Sequence, residues 1–447
     1  MGLRLLDVEN QVWNDFWVNS ESGVLTTPGM SGYFKDGAAI FTADDMDGDQ
    51  PIRVRGIWDR ITSKSCRWQQ GISHNGGKTW TDNWFMDWTR ILLACGTALF
   101  GAVTVWAQQQ PWDPQRTPGV YAGADQNRAA FVQANCKHPV PPAPARRGSG
   151  AAPATPQAYR VRAIPGVIAA GQRWRALWTE GGANADSPIG VADGVLIAQP
   201  AKSQVIKVGL NGKAALLATD TYSGGALAMT HDGKLYIGER ALNRSIWQVF
   251  PERKLFADTK DDEPLECLGA DVLNDMVADG KGGIYLTMGG VYYLNPQGVV
   301  RGPFGVSPGN GLILSKDDTT LYVTGRLAVA TPPTDHGVHA GAPTPAGGLV
   351  AFDVQSDGTL LNERQYAWAG GDGSAIDDAG RIYTTGDGGT WVIGTSGELL
   401  GFIASPRRLI GVAFGGPQRK TLFGVANNPV QVFAIDMIAA GISNRAK

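Results

Sequence analysis

NDMVADGKGGIYLTM, residues 274–288, carries the pattern from which the rest of the chain can be read. An apolar strand runs into an Asp/Gly turn, and a second strand of Ile-Tyr type follows it. The layout recurs in GALAMTHDGKLYIGE (225–239), NGLILSKDDTTLYVTG (310–325) and GSAIDDAGRIYTTGD (373–387), with weaker copies in SPIGVADGVLIAQ (187–199) and GVAFGGPQRKTLFGV (411–425). With Leu196, Leu235, Ile284, Leu321, Ile382 and Leu422 as landmarks, the spacings are 39, 49, 37, 61 and 40 residues. Two further strand-like pieces trail each copy, as VYYLNPQGVVRGPF (291–304) does after the third. Four short strands every 40–50 residues mark a propeller blade. Six copies therefore predict an all-β, six-bladed β-propeller over residues 158–447. The long interval holds an insertion, 326–347, read as a loop over one face.

Composition agrees with that class. Of 447 residues, 43% are hydrophobic, enough for a large core, and 60 glycines with 26 prolines supply many tight turns. A net charge of −2 argues against a nucleic-acid partner, which selects for a basic face. The cysteines at 66, 95, 136 and 267 form no Cys-x-x-Cys pair, which excludes zinc-ribbon and thioredoxin-type sites.

Upstream of the repeats the chain changes character three times. Residues 1–90 alternate apolar and polar positions, as in IRVRGIWDRI (52–61) and CRWQQGIS (66–73), and predict antiparallel strands with one wet face. Residues 10–90 resemble part of a lipocalin-like (calycin) β-barrel, and ninety residues predict a partial module. Residues 91–107, ILLACGTALFGAVTVWA, read as a signal-like apolar segment, preceded by MDWTR (86–90) and ending in small residues before Gln108. The alternatives are a membrane anchor or an element buried against the N-terminal strands. A lipobox at Leu92–Cys95 is disfavoured, because the apolar run continues past the cysteine. Residues 108–157, rich in Pro, Ala and Gly toward their end, predict a linker. A cut before Gln108 would leave a periplasmic or secreted propeller whose remaining cysteines, Cys136 and Cys267, could pair in an oxidising compartment and tie the linker to the propeller. Otherwise the chain stays whole, membrane-anchored or cytoplasmic.

In a propeller, polar residues just before the innermost strands converge on one mouth of the central tunnel. Here those positions hold Asp186, Asn274, Asn310 and Asp372. Such oxygen donors suit a hard cation, Ca²⁺ first, with Mg²⁺ or Mn²⁺ as alternatives. Asp and Asn before Gly are also ordinary turn formers, so pattern alone leaves both readings standing. Asp232, Asp317, Asp318 and Asp378 read as hairpin residues.

Asn-Asp-x-x-x-Asp (274–279), Asn-Gly-Leu-x-x-Ser-x-Asp (310–317), Asp-Gly-x-x-x-Asp (372–377) and VAFGGPQRKTLFGVANN (412–428) resemble the blade motifs of the gluconolactonase/regucalcin (SMP-30-like) family over about residues 165–435. The resemblance implies a lactonase that uses one divalent cation, Ca²⁺, Mg²⁺, Mn²⁺ or Zn²⁺, on a small-molecule lactone. It implies Asp186, Asn310 and Asp372 as metal ligands, Asp372 also as general base, and Asn274 as a substrate contact. Asp186-Ser187-Pro188 stands where the family carries Glu, and Glu180 is a second candidate for that role. Val272 replaces an Arg of the sugar-lactone members, which weakens gluconolactone itself as substrate. A non-enzymatic propeller that binds a small molecule or a partner is the alternative function.

Other motifs carry less. Gly305–Gly309 matches G-x-S-x-G, but a strand follows it where that elbow needs a helix. Ser73–Trp80 resembles one structural Asp-box hairpin. Asp45–Asp49 lacks the Gly and the closing Glu of a calcium loop. His336 and His339 lie in the insertion, where a surface loop is the default.

Overall fold

The computed structural model describes residues 2–7, 12–17, 29–35, 38–47, 49–61, 65–89, 116–138, 158–182, 184–269, 272–305, 309–328, 330–331, 333, 337–338 and 341–443. They fall into two units, Met1–Ala107 and Gln108–Lys447. The apolar segment 91–107, His336, His339 and the centre of the Gly305–Gly309 motif lie outside the described residues.

The first unit holds a seven-stranded antiparallel meander in which each strand pairs with its neighbour in the chain, from Gly2–Asp7 to Thr81–Thr89. Alternation buries Met30, Phe41, Trp58 and Trp68 together on one face. MDWT, the start of the expected leader, pairs within the last strand, where Met86 opposes Trp68. At Ser73–Trp80 the turn is closed by its own side chains: Gly77 N–H donates to Ser73 Oγ at 2.8 Å and Thr79 N–H to Asn75 Oδ1 at 2.9 Å. That network makes the motif a hairpin clasp.

The second unit contains six four-stranded antiparallel sheets. Their innermost strands are Asp186–Val191, Ala226–Met229, Met276–Ala278, Leu312–Leu314, Ser374–Ile376 and Gly411–Gly415, numbered here as blades one to six. These strands neighbour one another in order, and the sixth returns to the first, so the ring is closed. Each landmark residue of the repeat falls on the second strand of its blade. Closure uses sequence from both ends: Arg175–Glu180 supplies the fourth strand of blade six by pairing with Val430–Asp436.

The repeat works because its parts have separate duties. The Asp that ends each motif caps a hairpin: Asp279 Oδ1 accepts the N–H groups of Lys281 and Gly283, and its Oδ2 accepts the Tyr293 hydroxyl. Asp377 does the same for Ala379, Arg381 and Tyr383. Gly follows two of the tunnel residues, Asn310 and Asp372, and there permits close approach of the strands. A Cβ on Gly311 would lie 1.9 Å from the Asp372 carbonyl oxygen, so Asn310 and Asp372 are held on adjoining blades only because Gly follows Asn310. Between blades, apolar strand faces pack as continuous clusters, such as Tyr285, Leu312, Val323, Phe352 and Trp391 across blades three to five.

Part of the expected linker is folded. Residues 116–138 form a 3-10 turn at Ala122–Ala124 and a helix at Arg128–Asn135, and Cys136 is disulfide-bonded to Cys267. The Pro/Ala-rich composition that predicted a linker is concentrated in 139–157, which lies outside the described residues. Residues 116–138 carry Arg116, Phe131 and Cys136, side chains that can dock, and each is bonded or buried.

Candidate functional site at the tunnel mouth

The starts of the inner strands and the ends of the second strands lie on one side of the ring. There Asp186, Asn274 and Asp372 surround a space of about 10 Å³, together with Ser187, Asp275 and Ser374. That is room for roughly one water-sized atom. Asn310 stands on the neighbouring blade. Its carbonyl accepts the Thr287 hydroxyl at 2.5 Å, while its buried side-chain Oδ1 meets no donor. An orphaned buried amide oxygen is costly unless a cation or polar ligand meets it.

The four residues differ in their engagements. Asp186 Oδ1 accepts the Ser187 N–H at 2.8 Å, and Oδ2 accepts Arg240 Nη1 at 2.8 Å. Arg240 is buried and rigidly held, since its Nε donates to Leu273 O at 2.6 Å and its Nη2 donates to Asn274 O at 2.5 Å. Asp372 has its main-chain N–H fixed by Thr385 Oγ1 at 2.9 Å, but its carboxylate receives no hydrogen bond from a described residue. Burial, reinforced by the negative charges of Asp186 and Asp275, pushes the Asp372 carboxyl up to about 7, against the pull of Arg240 and Arg408. Burial likewise raises Asp186, with Arg240 opposing the shift.

A stitch of hydrogen bonds holds this geometry across four blades. Ser187 Oγ donates to Asp275 Oδ1 at 2.9 Å and accepts the Leu227 N–H at 3.0 Å; Asp275 Oδ2 accepts the Leu312 N–H at 3.2 Å. Asp275 is thus an orienting residue, a role its neighbour Asn274 masked in the sequence. Arg240 was missed as well, because it follows the second strand of blade two, and the repeat offers no signal there. Glu180 lies elsewhere: in the closing strand it accepts bonds from Lys202 Nζ and Gln199 Nε2, both at 2.6 Å. Asp232 and Asp317 accept local hydrogen bonds in their hairpins, and Asp378 pairs with Lys316.

Asp372 also faces outward. It lines a second cavity of about 170 Å³ with Thr385, Trp391, Arg408 and the insertion residues Pro343 and Thr344. The mouth therefore offers a small polar centre and, beside it, a chamber that can take a small molecule.

Among the described residues no three His, Cys, Asp or Glu side chains group closely enough to hold a metal by themselves. The donor set at the mouth is instead mixed. It includes the amide oxygen of Asn310, the Asp372 carboxylate, and the Asp186 carboxylate, whose two oxygens each keep a lone pair after accepting one hydrogen bond. Asn274, Asp186 and Asp372 line the one small space and Asn310 stands on the neighbouring blade; amide and carboxylate oxygens of this kind suit a hard divalent cation.

Comparison with known proteins agrees with this architecture. Residues 201–426, half of the chain, match the model of the SMP-30/Gluconolactonase/LRE-like region. Lactonase drp35 of Staphylococcus epidermidis is 36% identical over 86 residues, which cover 16% of this chain and 26% of that protein. The match thus spans about a quarter of its length. A gluconolactonase structure from Xanthomonas campestris superposes with a TM-score of 0.50 at 20% identity, covering 65% of this chain and all of that one. An X-ray structure proposed to be a gluconolactonase gives 0.52 at 17% identity, over 64% of this chain and all of that one, and at these identities both speak for the fold. The chain belongs to the SMP-30/gluconolactonase/LRE-like family.

Proposed function

We propose that the propeller is a lactonase that hydrolyses the ester bond of a small lactone and depends on one divalent cation. The carrying observation is Asp372: a carboxylate raised to about 7, free of protein donors among the described residues, standing between the polar centre and the 170 Å³ chamber. Asn310, Asp372 and Asp186 would hold the cation, with Ca²⁺ the best match to this oxygen set and Mg²⁺, Mn²⁺ or Zn²⁺ as alternatives. When bound, the cation supplies Lewis-acid stabilisation of the charge that develops on the lactone carbonyl oxygen.

The chain's own residues do the rest. Asp372 accepts a proton from the attacking water; its value of about 7 belongs to the metal-free site, and a bound cation would lower it. The Asn274 side chain, at the small space and with its main chain fixed by Arg240, would donate to a lactone oxygen. Trp391 and the insertion residues Pro343 and Thr344 wall the chamber and limit the ring substituents it accepts. Turnover of sugar, aliphatic and homoserine lactones, measured after chelation and again with Ca²⁺, Mn²⁺ or Zn²⁺, tests the reading. Cation-dependent hydrolysis of one class supports it. No turnover of any lactone with any cation leaves a binding propeller as the better account.

A further inference from the structure

Ring closure in this propeller is complete without the segment that precedes it, because Arg175–Glu180 already supplies the last strand. Residues 116–138 nonetheless lie on the mouth side of blades one to three and are bonded there at short intervals. Arg116 pairs with Glu239 and lies 4.3 Å over the Tyr222 ring. Gly119 N–H donates to Ser203 Oγ at 3.1 Å, Ser223 Oγ to Val120 O at 3.1 Å, and Ala122 N–H to Arg240 O at 2.8 Å. Arg128 Nε donates to Glu266 Oε1 at 2.7 Å, Lys137 N–H donates to Glu263, and Cys136 is bonded to Cys267. Glu239 and Glu266 are both fully buried, and these cations add to Arg253 and Arg244, which pair with the same carboxylates from within the propeller.

Two of the attachments lead into the site. The Tyr121 hydroxyl accepts a bond from Asn184 Nδ2 at 3.2 Å and meets the Arg240 guanidinium, which in turn grips Asp186 and the Asn274 main chain. Glu263, Glu266 and Cys267 stand on the long connection between Lys254–Ala257 and Met276–Ala278, and that connection ends at Asn274. Asp372, on blade five, shares the small space with Asp186 and Asn274, but its carboxylate receives no hydrogen bond from any of these described groups.

We propose that residues 116–138 are a disulfide-fastened positioning strap that fixes Arg240 and the loop leading to Asn274, and thereby sets the affinity of the site for its substrate. Without the strap, a connection of this length samples many conformations, and ordering it becomes part of the cost of binding. The kinetic consequence rests on the lactonase reading; the structural consequence does not.

The test uses the full chain with Cys136→Ser/Cys267→Ser, and separately Arg128→Ala with the disulfide intact. Hydrogen exchange is followed at residues 265–269 and 272–275, with the inner strand Gly411–Gly415 as reference. We expect faster exchange in the first two segments, an unchanged reference, a KM raised about tenfold in the disulfide-free variant, and kcat within about twofold of the parent. Arg128→Ala should shift the same quantities in the same direction by less. Unchanged exchange at 272–275 in both variants overturns the proposal, as does faster exchange with an unaltered KM. If the parent hydrolyses no lactone, the lactonase reading fails by itself, and the exchange at 272–275 alone decides whether the strap positions that loop.

Discussion

Arg240 Nη1 lies 2.8 Å from Asp186 Oδ2, so a residue proposed to hold the cation is tied to an internal guanidinium that bridges blades one, two and three. Only 5% of the Arg240 side chain and a quarter of the Asp186 side chain are exposed. A pair this dry is strongly linked to its surroundings, and removing one partner leaves an uncompensated charge. Arg240→Ala is expected to destabilise the propeller by about 3 kcal/mol, the low end for buried pairs because Asp186 keeps some solvent. Chemical denaturation measures it. The double variant Arg240→Ala/Asp186→Ala should recover part of the loss, and additivity of the two would show the pair to be uncoupled.

Asp372 should separate proton transfer from cation binding. Asp372→Asn keeps an oxygen ligand but cannot take a proton, so it should retain weakened cation binding and lose about 10²- to 10⁴-fold in kcat. Asp372→Ala should lose both. Calorimetric cation titration beside steady-state kinetics reads the two effects, and full turnover in Asp372→Asn would remove this residue from the base role.

The fold was legible because its signal is repeated. Six copies of strand, Asp/Gly turn and strand report the same physics, and each landmark from Leu196 to Leu422 falls on the second strand of a blade. The placement of the tunnel residues was legible for the same reason: Asn274, Asn310 and Asp372 each stand two residues before an inner strand, Asp186 opens one, and Asp186, Asn274 and Asp372 line one space. Arg240 and Ser187 were not, since their partners are 33 to 88 residues away and no local pattern announces such contacts. The strap was hidden by averaging. Composition over 108–157 is dominated by its Pro/Ala-rich stretch 139–157, whereas docking depends on a few side chains before it, Arg116, Tyr121, Arg128 and Cys136.

The raised Asp372 carboxyl has a consequence for stability in the metal-free protein. Its folded value of about 7 exceeds the ordinary 3.8, so between these values the native state binds more protons than the unfolded chain. Stability contributed by this group is therefore fully present below about pH 4 and is lost as pH rises toward 7. In chelator-treated protein, the stability difference between Asp372→Asn and the parent should widen in favour of the variant from about pH 4 to 7. Excess Ca²⁺ above pH 7 should reverse it, because a ligand that binds only the native state stabilises it. Thermal melts of both proteins across that range decide, and parallel curves would place Asp372 in an ordinary aqueous setting.

The last expectation concerns the mature protein. The apolar segment 91–107 ends where the second unit begins, at Gln108, and a cut there would leave every strand of the propeller and the whole strap intact. The Cys136–Cys267 bond belongs to that unit, and disulfides of this structural kind form and persist in oxidising compartments. We therefore expect protein recovered from its native host to start near Gln108, to lie outside the cytoplasm, and to carry no free thiol. Fractionation, N-terminal sequencing and thiol titration read the three points independently. A chain that retains residues 1–90 in a reducing cytoplasm, with Cys136 and Cys267 both titratable, would refute the expectation. It would also mean that the strap is held there by Arg116–Glu239 and Arg128–Glu266 without its covalent fastening.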